Sequence, residues 1–193
     1  MKKFLIYCLT FLLSGLCNIC SAQKNEPQVL VGRVITIHDG DTYTILVNGN
    51  QQVKVRMQGI DAPESGQDFS RKAKDYLKSL IIQKEVTLKY TEKDHYERLL
   101  AYTYLPDGRE AGQEMLKAGY AWHFKLYNSS KELSQMEETA RMEKKGMWLD
   151  PHPVEPWIER NLRRKGYKSV EIKKLKIEGK IETLEAAKLI EKR

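Results

Sequence analysis

The chain has 193 residues, with 33 Lys and Arg against 26 Asp and Glu, a formal net charge of +7. That length suggests one domain with extensions. The charge is uneven, because residues 159–193 hold 12 basic and 6 acidic side chains, while residues 23–158 hold 19 basic and 20 acidic ones. The central region is near neutral, so overall basicity is no argument that it binds nucleic acid. An anion site there must come from the local placement of charged side chains.

The first 22 residues have the pattern of a cleaved signal peptide. Lys2 and Lys3 precede an apolar run over 4–16, and small residues end the segment at Ala22. The run is shorter than the roughly 20 residues that a membrane span requires. We therefore expect cleavage after Ala22, a secreted or periplasmic protein and no stable membrane insertion; an uncleaved anchor is the alternative. All 3 cysteines lie in this segment, so the mature chain would have no disulfide.

Hydrophobic periodicity predicts five strands, at 29–37, 42–47, 53–57, 86–90 and 99–105. Helical spacing predicts three helices, over 69–83, over 111–118, and from Ser129 or Ser130 to Gly146. The order favours a small mixed β-barrel with helices on one side, an α+β fold. The five-stranded OB barrel has this order and often carries oligonucleotide sites. The strand count alone leaves other small barrels open.

We expect the OB-fold domain to cover residues 23–158 and a basic, partly helical extension to cover 159–193. A helix is predicted at 181–192 from its apolar stripe. The excess of positive charge in the extension would raise encounter rates with nucleic acid. The alternative is a solvated extension that packs weakly or mediates self-association.

Acids and arginines gather at the predicted strand ends. These residues are Asp39, Asp41, Asp61, Glu64, Arg56 and Arg98. Each segment alone would pass for an ordinary polar turn. Together they supply oxygen ligands for a hard cation and positive charge for a phosphate. We therefore expect the segments to converge on one site for a metal ion and an anionic substrate.

Three stretches resemble the staphylococcal (micrococcal) nuclease, or thermonuclease, family. They are 34–42, with Asp-Gly-Asp-Thr, 56–64, with Arg-x4-Asp-x-Pro-Glu, and 94–102, with Asp-His-Tyr-Glu-Arg. The likeness covers about residues 29–157, in the family's order. It implies an OB-fold nuclease that hydrolyses phosphodiester bonds of DNA and RNA with calcium. We expect the protein to act as a monomer.

The resemblance also implies a role for each matching residue. The implied catalytic residues are Arg56, Arg98 and Glu64, the last as general base or water-orienting group. The implied calcium ligands are Asp41, Asp61 and the Ala62 carbonyl, supported by Asp39 and Thr42. The implied substrate contacts are Tyr96, His95, Lys125 and Tyr127. Calcium does take carboxylate and carbonyl oxygens, and guanidinium groups do bind phosphoryl oxygens in pairs.

Some positions depart from the family pattern. Glu97 stands where a glycine is usual, and it could weaken Arg98 by pairing with it. His95 stands where some members carry a lysine, and Lys125 where a base-stacking tyrosine is expected. These differences bear on cleavage mode and substrate preference rather than on the reaction. The alternative function is a non-catalytic OB-fold module that binds nucleic acid, which a chain lacking site residues would indicate.

Overall fold

Five strands of the computed structural model close into a barrel, and residues 26–181 are described. The strands are β1 (Gln28–Ile37), β2 (Thr42–Val47), β3 (Gln51–Met57), β4 (Ile60–Asp61), β5 (Glu85–Lys93), β6 (Leu99–Tyr104) and β7 (Trp122–His123). The barrel order is β1-β2-β3-β6-β5, with β3 and β6 parallel and the other neighbours antiparallel. This closed mixed barrel confirms the predicted OB-fold class. The short strands β4 and β7 form a separate pair that was not predicted.

The helices are α1 (Ser70–Ile81), α2 (Ala111–Lys117), α3 (Lys131–Met142), α4 (Pro156–Arg164) and α5 (Ser169–Ile177), with a 3-10 helix at Gly146–Leu149. The first three are the predicted helices. Ser130 caps α3, since its hydroxyl accepts a hydrogen bond from the Leu133 amide at 3.2 Å. Between residues 26 and 181, no helix is both long and apolar enough to cross a bilayer.

Alternate residues of the barrel strands fill the core. Val34, Ile45, Val55, Leu88 and Ala101 are all fully buried. α1 covers one end of the barrel with Ala73, Leu77, Leu80 and Ile81. Tyr43 is buried in this core, and its hydroxyl lies 2.6 Å from the Thr103 hydroxyl, which satisfies both buried groups.

The first part of the basic extension is folded. α4 and α5 pack together around a small core of their own, made by Val154, Ile158, Leu162, Ile172 and Ile181. The expected domain boundary between 158 and 159 falls inside α4. The division into domains remains a prediction. The expected signal peptide at 1–22 and the predicted helix at 181–192, apart from Ile181, lie outside the described residues.

Three tryptophans, Trp122, Trp148 and Trp157, join β7, the 3-10 helix and α4. The ring of Trp122 lies 4.5 Å from that of Trp148 and 5.7 Å from that of Trp157, measured between centroids. Trp157 also stacks on Phe124 at 5.6 Å. Aromatic contacts of this kind fix the position of α4 against β7 and the loop that follows it.

Candidate active site

The ends of β1, β2 and β3 meet at one rim of the barrel, where the acidic segments lie. Thr42 at the start of β2 is paired with Arg56 near the end of β3. The Met57 amide donates a hydrogen bond to the Asp41 carbonyl at 2.9 Å. The chain then turns into β4, whose second residue is Asp61. The topology therefore brings Asp41, Arg56 and Asp61 together, as the sequence predicted.

The turn between β1 and β2 is held by its first aspartate. One carboxylate oxygen of Asp39 accepts hydrogen bonds from the amides of Asp41, at 3.0 Å, and Thr42, at 2.7 Å. Gly40 is required here, because a Cβ on it would lie 2.6 Å from the Cβ of Ala62. The close approach of these two turns places the carboxylate of Asp41 beside the loop that follows Asp61.

A single guanidinium joins the two buried carboxylates. Nη2 of Arg56 lies 2.8 Å from Oδ1 of Asp61 and 3.2 Å from Oδ2 of Asp41. Oδ2 of Asp41 also accepts a hydrogen bond from the Ala62 amide at 2.7 Å. The Thr42 hydroxyl donates to the other Asp41 oxygen at 3.1 Å. Asp61 is fully buried, so its charge depends on these neighbours.

The other Nη of Arg56 fixes the side chain to the backbone. Nη1 donates to the carbonyls of Met57, at 2.6 Å, and Ile60, at 2.9 Å. The guanidinium plane is thereby set by the bend between β3 and β4. A cation held in this way needs little reorganisation when negative charge develops beside it.

Burial makes Asp39 and Asp61 weaker acids. It raises the pKa of Asp61 to about 6, although the hydrogen bond from Arg160 and the charge of Arg56 oppose the shift. It likewise raises the pKa of Asp39 to about 6, with the negative charge of Asp41 as the second cause. A divalent cation would favour the ionised forms of these carboxylates.

Arg160, on α4, is a site residue that the sequence patterns did not indicate. Its Nη1 lies 3.0 Å from Oδ1 of Asp61, and its Nη2 lies 2.6 Å from Oδ2 of the same carboxylate. Nη1 also donates to Glu64. The pairs are separated by 99 and 96 positions in the sequence, so no local motif could have revealed them.

Glu64 belongs to the turn that follows Pro63, and its position is fixed from the same loop. Its amide donates to the side-chain oxygen of Gln67 at 2.9 Å, and the amide nitrogen of that side chain donates to the Val154 carbonyl at 2.6 Å. The carboxylate of Glu64 is partly exposed beside Asp61, where it could contact both solvent and substrate.

Arg98 lies immediately before β6. The parallel pairing of β3 with β6 aligns Arg56 with Leu100, two residues after Arg98. Within the described residues the Arg98 guanidinium contacts Asp94, with Nη2 2.7 Å from Oδ2, and covers the ring of Tyr96 at 5.3 Å. The structure therefore pairs Arg98 with an acid of its own turn rather than with the buried carboxylates.

The ion pair between Glu97 and Arg98 that the sequence suggested is not formed among the described residues. Glu97 pairs with Lys93 at 3.2 Å instead, and both side chains are largely exposed. Its backbone has φ of 59°, the left-handed region in which glycine is favoured. The usual glycine of this turn therefore matches the backbone conformation, and Glu97 adopts it at a cost.

The four expected substrate contacts lie on two exposed loops. In the loop before β6, the rings of His95 and Tyr96 lie 3.8 Å apart, and Tyr96 is 62% exposed. In the loop after β7, Lys125 pairs with Glu137 at 3.1 Å, while Tyr127 is 75% exposed. The second loop is tied to the site, because Trp122 in β7 pairs with Asp61 in β4.

These features define a class of protein: an OB-fold barrel with paired carboxylates and arginines at one rim. Comparison with known proteins agrees with this class. The family model of the staphylococcal nuclease homologues matches residues 54–150. The matched range contains Arg56, Asp61, Glu64 and Arg98, whereas Arg160 lies beyond it.

Individual relatives support the same assignment. The chain is 42% identical over 130 residues to an uncharacterized endonuclease of Escherichia coli O157:H7, covering 67% of this chain and 84% of that one. It is 39% identical over 155 residues to an uncharacterized endonuclease of Haemophilus influenzae, covering 80% and 83%. It is 38% identical over 136 residues to the micrococcal nuclease of Shigella flexneri, covering 65% and 78%. The chain belongs to the staphylococcal nuclease family.

Proposed function

We propose that the protein is a calcium-dependent nuclease that hydrolyses phosphodiester bonds of DNA, RNA or both. The nuclease names of its relatives support a nucleic-acid-hydrolysing activity. The observation that carries the proposal is the pair of buried carboxylates, Asp41 and Asp61, joined by Arg56 with nitrogen–oxygen distances of 3.2 and 2.8 Å. A buried pair of like charges is costly to a fold unless cations compensate it.

The donor set at the rim is chemically suited to calcium. Among residues 26–181, no group of three or more His, Cys, Asp and Glu side chains is arranged to hold a metal ion. Calcium accepts 6–8 oxygens, typically mixing carboxylates, backbone carbonyls and water. Asp41 and Asp61 would supply the carboxylates and Ala62 a carbonyl, while Asp39 and Thr42 support the turn. When bound, the ion would polarise a phosphoryl oxygen and position water.

The remaining residues have roles that follow from their charge. Arg56 and Arg98 would bind the phosphoryl oxygens and stabilise the negative charge that grows in the transition state. Arg98 would first have to leave Asp94. Glu64 would accept the proton of the attacking water, or hold that water in line with the leaving oxygen. Its partly exposed carboxylate beside Asp61 suits either task.

The two exposed loops would bind the rest of the nucleic acid. Tyr96 and Tyr127 offer aromatic faces on which bases can stack, and His95 and Lys125 offer donors to phosphate. Stacking and phosphate contacts of this kind discriminate little between sequences. We therefore expect broad sequence tolerance in the cleavage of nucleic acid.

The proposal is tested by incubating the purified protein with DNA and with RNA, in calcium and in chelator. Hydrolysis in calcium that chelator abolishes is the expected result. Glu64→Gln should remove most of the activity, while Asp68→Asn, in the same loop and exposed, should not. Hydrolysis undiminished by chelator would contradict the metal requirement. Binding without hydrolysis in any divalent ion would support the non-catalytic OB-fold module instead.

We also propose that residues 1–22 are a signal peptide, that the mature protein is secreted or periplasmic without stable membrane insertion, and that it acts as a monomer. The basic start, the short apolar run and Ala22 support the first point. N-terminal sequencing of the exported protein should begin at Gln23. An intact N-terminus in the membrane fraction would indicate an anchor. Light scattering of the mature chain would give its oligomeric state.

A further inference from the structure

Arg160 enters the candidate active site from outside the barrel. It lies on α4, in the basic extension, and its side chain is 32% exposed. Both of its Nη atoms contact Asp61, one oxygen each, at 3.0 and 2.6 Å. This two-pronged contact is the geometry in which a guanidinium binds a carboxylate most strongly. The same Nη1 also donates to Glu64.

With Arg160 in place, both oxygens of Asp61 are taken. Oδ1 accepts from Arg56 at 2.8 Å and from Arg160 at 3.0 Å, and Oδ2 accepts from Arg160 at 2.6 Å. Arg160 thus faces the carboxylates that a divalent cation would use. A metal ion and this guanidinium compete for the same oxygens, and their positive charges repel each other.

The rest of the extension holds Arg160 in this position. Ile158 and Leu162, on either side of it in α4, pack on Ile172 of α5, which is fully buried. One turn further on, Nη1 of Arg163 donates to the Ser65 carbonyl at 2.8 Å, which ties α4 to the loop that carries Glu64. Arg160 is therefore not an incidental contact of a long surface side chain.

Asp61 explains why such a contact is needed. Its side chain is fully buried, and an ionised carboxylate there is costly unless cations compensate it. Arg56 is shared with Asp41, so it compensates Asp61 only in part. The two-pronged contact with Arg160 supplies the rest of the charge while the metal is absent.

We propose that Arg160 is a built-in counter-ion of the metal site, which holds Asp61 and Glu64 in place until a divalent cation displaces it. This inference rests on the proposed metal site at Asp41 and Asp61. Arg160 acts through the carboxylates and is a positioning residue. It lowers the apparent affinity for calcium, because binding must break its hydrogen bonds, and it stabilises the metal-free protein.

The test compares the wild-type protein with Arg160→Gln and with Arg164→Gln, an exposed arginine of the same helix. Calcium is titrated into each protein and binding is measured by calorimetry. Loss of charge-assisted hydrogen bonds to two carboxylates should tighten calcium binding of Arg160→Gln by about tenfold or more. Arg164→Gln should bind calcium as the wild type does.

Thermal unfolding provides a second readout that does not depend on activity. In chelator, Arg160→Gln should melt below the wild type, and added calcium should raise its melting temperature by more than it raises that of the wild type. If this variant does not fold in chelator, Arg160→Lys keeps a charge without the two-pronged contact. It should tighten calcium binding by a smaller factor, about threefold.

The outcomes separate this inference from the proposed function. Calcium binding by Arg160→Gln that is equal to, or weaker than, that of the wild type would overturn the counter-ion role and leave the metal site standing. Absence of calcium binding by both proteins would overturn the metal site itself, and the inference with it. Tighter binding by Arg164→Gln as well would show only a general charge effect and would also overturn the inference.

Discussion

Arg56 and Arg98 were predicted from the sequence as a matched pair, but the structure gives them different surroundings. Arg56 is held between two buried carboxylates, whereas Arg98 pairs with the partly buried Asp94 of its own turn. We expect Arg56→Ala and Arg98→Ala each to lower turnover by about 10²–10³. Arg56→Ala should also lower the free energy of unfolding in chelator by about 2 kcal/mol, and Arg98→Ala should lower it by less.

The measurement is nuclease turnover in calcium together with chemical unfolding in chelator. Arg71→Ala is the control, because Arg71 is exposed on α1. Wild-type turnover in either variant would remove that arginine from the mechanism. Equal losses of unfolding free energy in the two variants would contradict the view that Arg56 contributes more to stability than Arg98 does.

Glu97 has a backbone conformation that suits glycine. Its φ of 59° lies in the left-handed region, where a side chain costs roughly 1–2 kcal/mol. Glu97→Gly should therefore stabilise the protein by about 1 kcal/mol, part of the gain being offset by the freedom of glycine in the unfolded chain. Glu97→Ala removes the pair with Lys93 but keeps the strain, so it should give no gain. Thermal unfolding checks both, and equal melting temperatures of the two variants would contradict the strain.

Glu110 should make stability depend on pH. It caps α2, accepting hydrogen bonds from the amides of Gly112 at 2.9 Å and Gln113 at 2.8 Å. Burial nevertheless raises the pKa of Glu110 above its ordinary value of 4.5. The unfolded chain therefore loses this proton first, so the contribution of Glu110 to stability is fully present below 4.5 and is lost as pH rises through the folded pKa.

Glu110→Gln removes this titration. The free energy of unfolding of the variant minus that of the wild type should therefore increase as the pH is raised from about 4 to about 7. The measurement is urea unfolding of both proteins across this range. A difference that is constant with pH, or that falls, would contradict the raised pKa.

At the scale of elements, α5 keeps α4 against the barrel. Ile172 is fully buried in the small core of the extension, and Val170, on the same helix, is 82% exposed. Ile172→Ala should cost about 2–5 kcal/mol of the packing between these helices, and Val170→Ala should cost little. Amide exchange in α4 should rise in the first variant and remain unchanged in the second. Faster exchange throughout the barrel would mean that the two cores unfold as one unit.

Most of the strands and helices could be predicted from the sequence, and the exceptions are short. The barrel strands and the first three helices follow from alternation, helical spacing and turn residues, which are local signals. β4 and β7 were missed because two residues are too few to show any period. In the same way, the sequence predicts that Asp41, Arg56 and Asp61 lie close together, because each stands at a predicted strand end and within one of the two motifs Asp-Gly-Asp-Thr and Arg-x4-Asp-x-Pro-Glu.

Arg160 could not be predicted, because its position depends on how α4 packs. It contacts Asp61 across 99 positions, and it stands in a run rich in Lys and Arg that looks like an ordinary solvated helix face. The same reason explains why α4 and α5 were not predicted individually. Their burial comes from a small core shared with Val154 and Ile181 rather than from a long amphipathic pattern.

At the scale of the molecule, part of the positive charge of the extension is neutralised by ion pairs within the fold. Arg160, Arg163, Lys173 and Lys176 all pair with acids among the described residues. The remaining cations could still attract nucleic acid over a distance. The barrel core and the core of the extension are separate clusters, so the barrel should survive without the extension.

A chain ending at 155 tests this, since that cut does not divide α4. At saturating calcium, where the loss of Arg160 should not matter, we expect it to cleave a dinucleotide substrate as the full chain does. It should bind a long duplex more weakly and with a smaller dependence on salt. Both forms are compared at low and moderate salt. Equal affinity for the long duplex at low salt would rule out the electrostatic role, and loss of dinucleotide cleavage would mean that the extension belongs to the catalytic fold.

The tryptophan cluster makes the protein its own spectroscopic probe. The sequence contains 3 tryptophans, and they form one cluster where α4 meets β7 and the 3-10 helix. The indole nitrogens of Trp122 and Trp148 are buried without a hydrogen-bond partner among the described residues, which should keep their emission at short wavelength. Undocking of α4 would expose this cluster to water and shift the emission to longer wavelength. The state of the extension can therefore be followed by intrinsic fluorescence in real time, without a label.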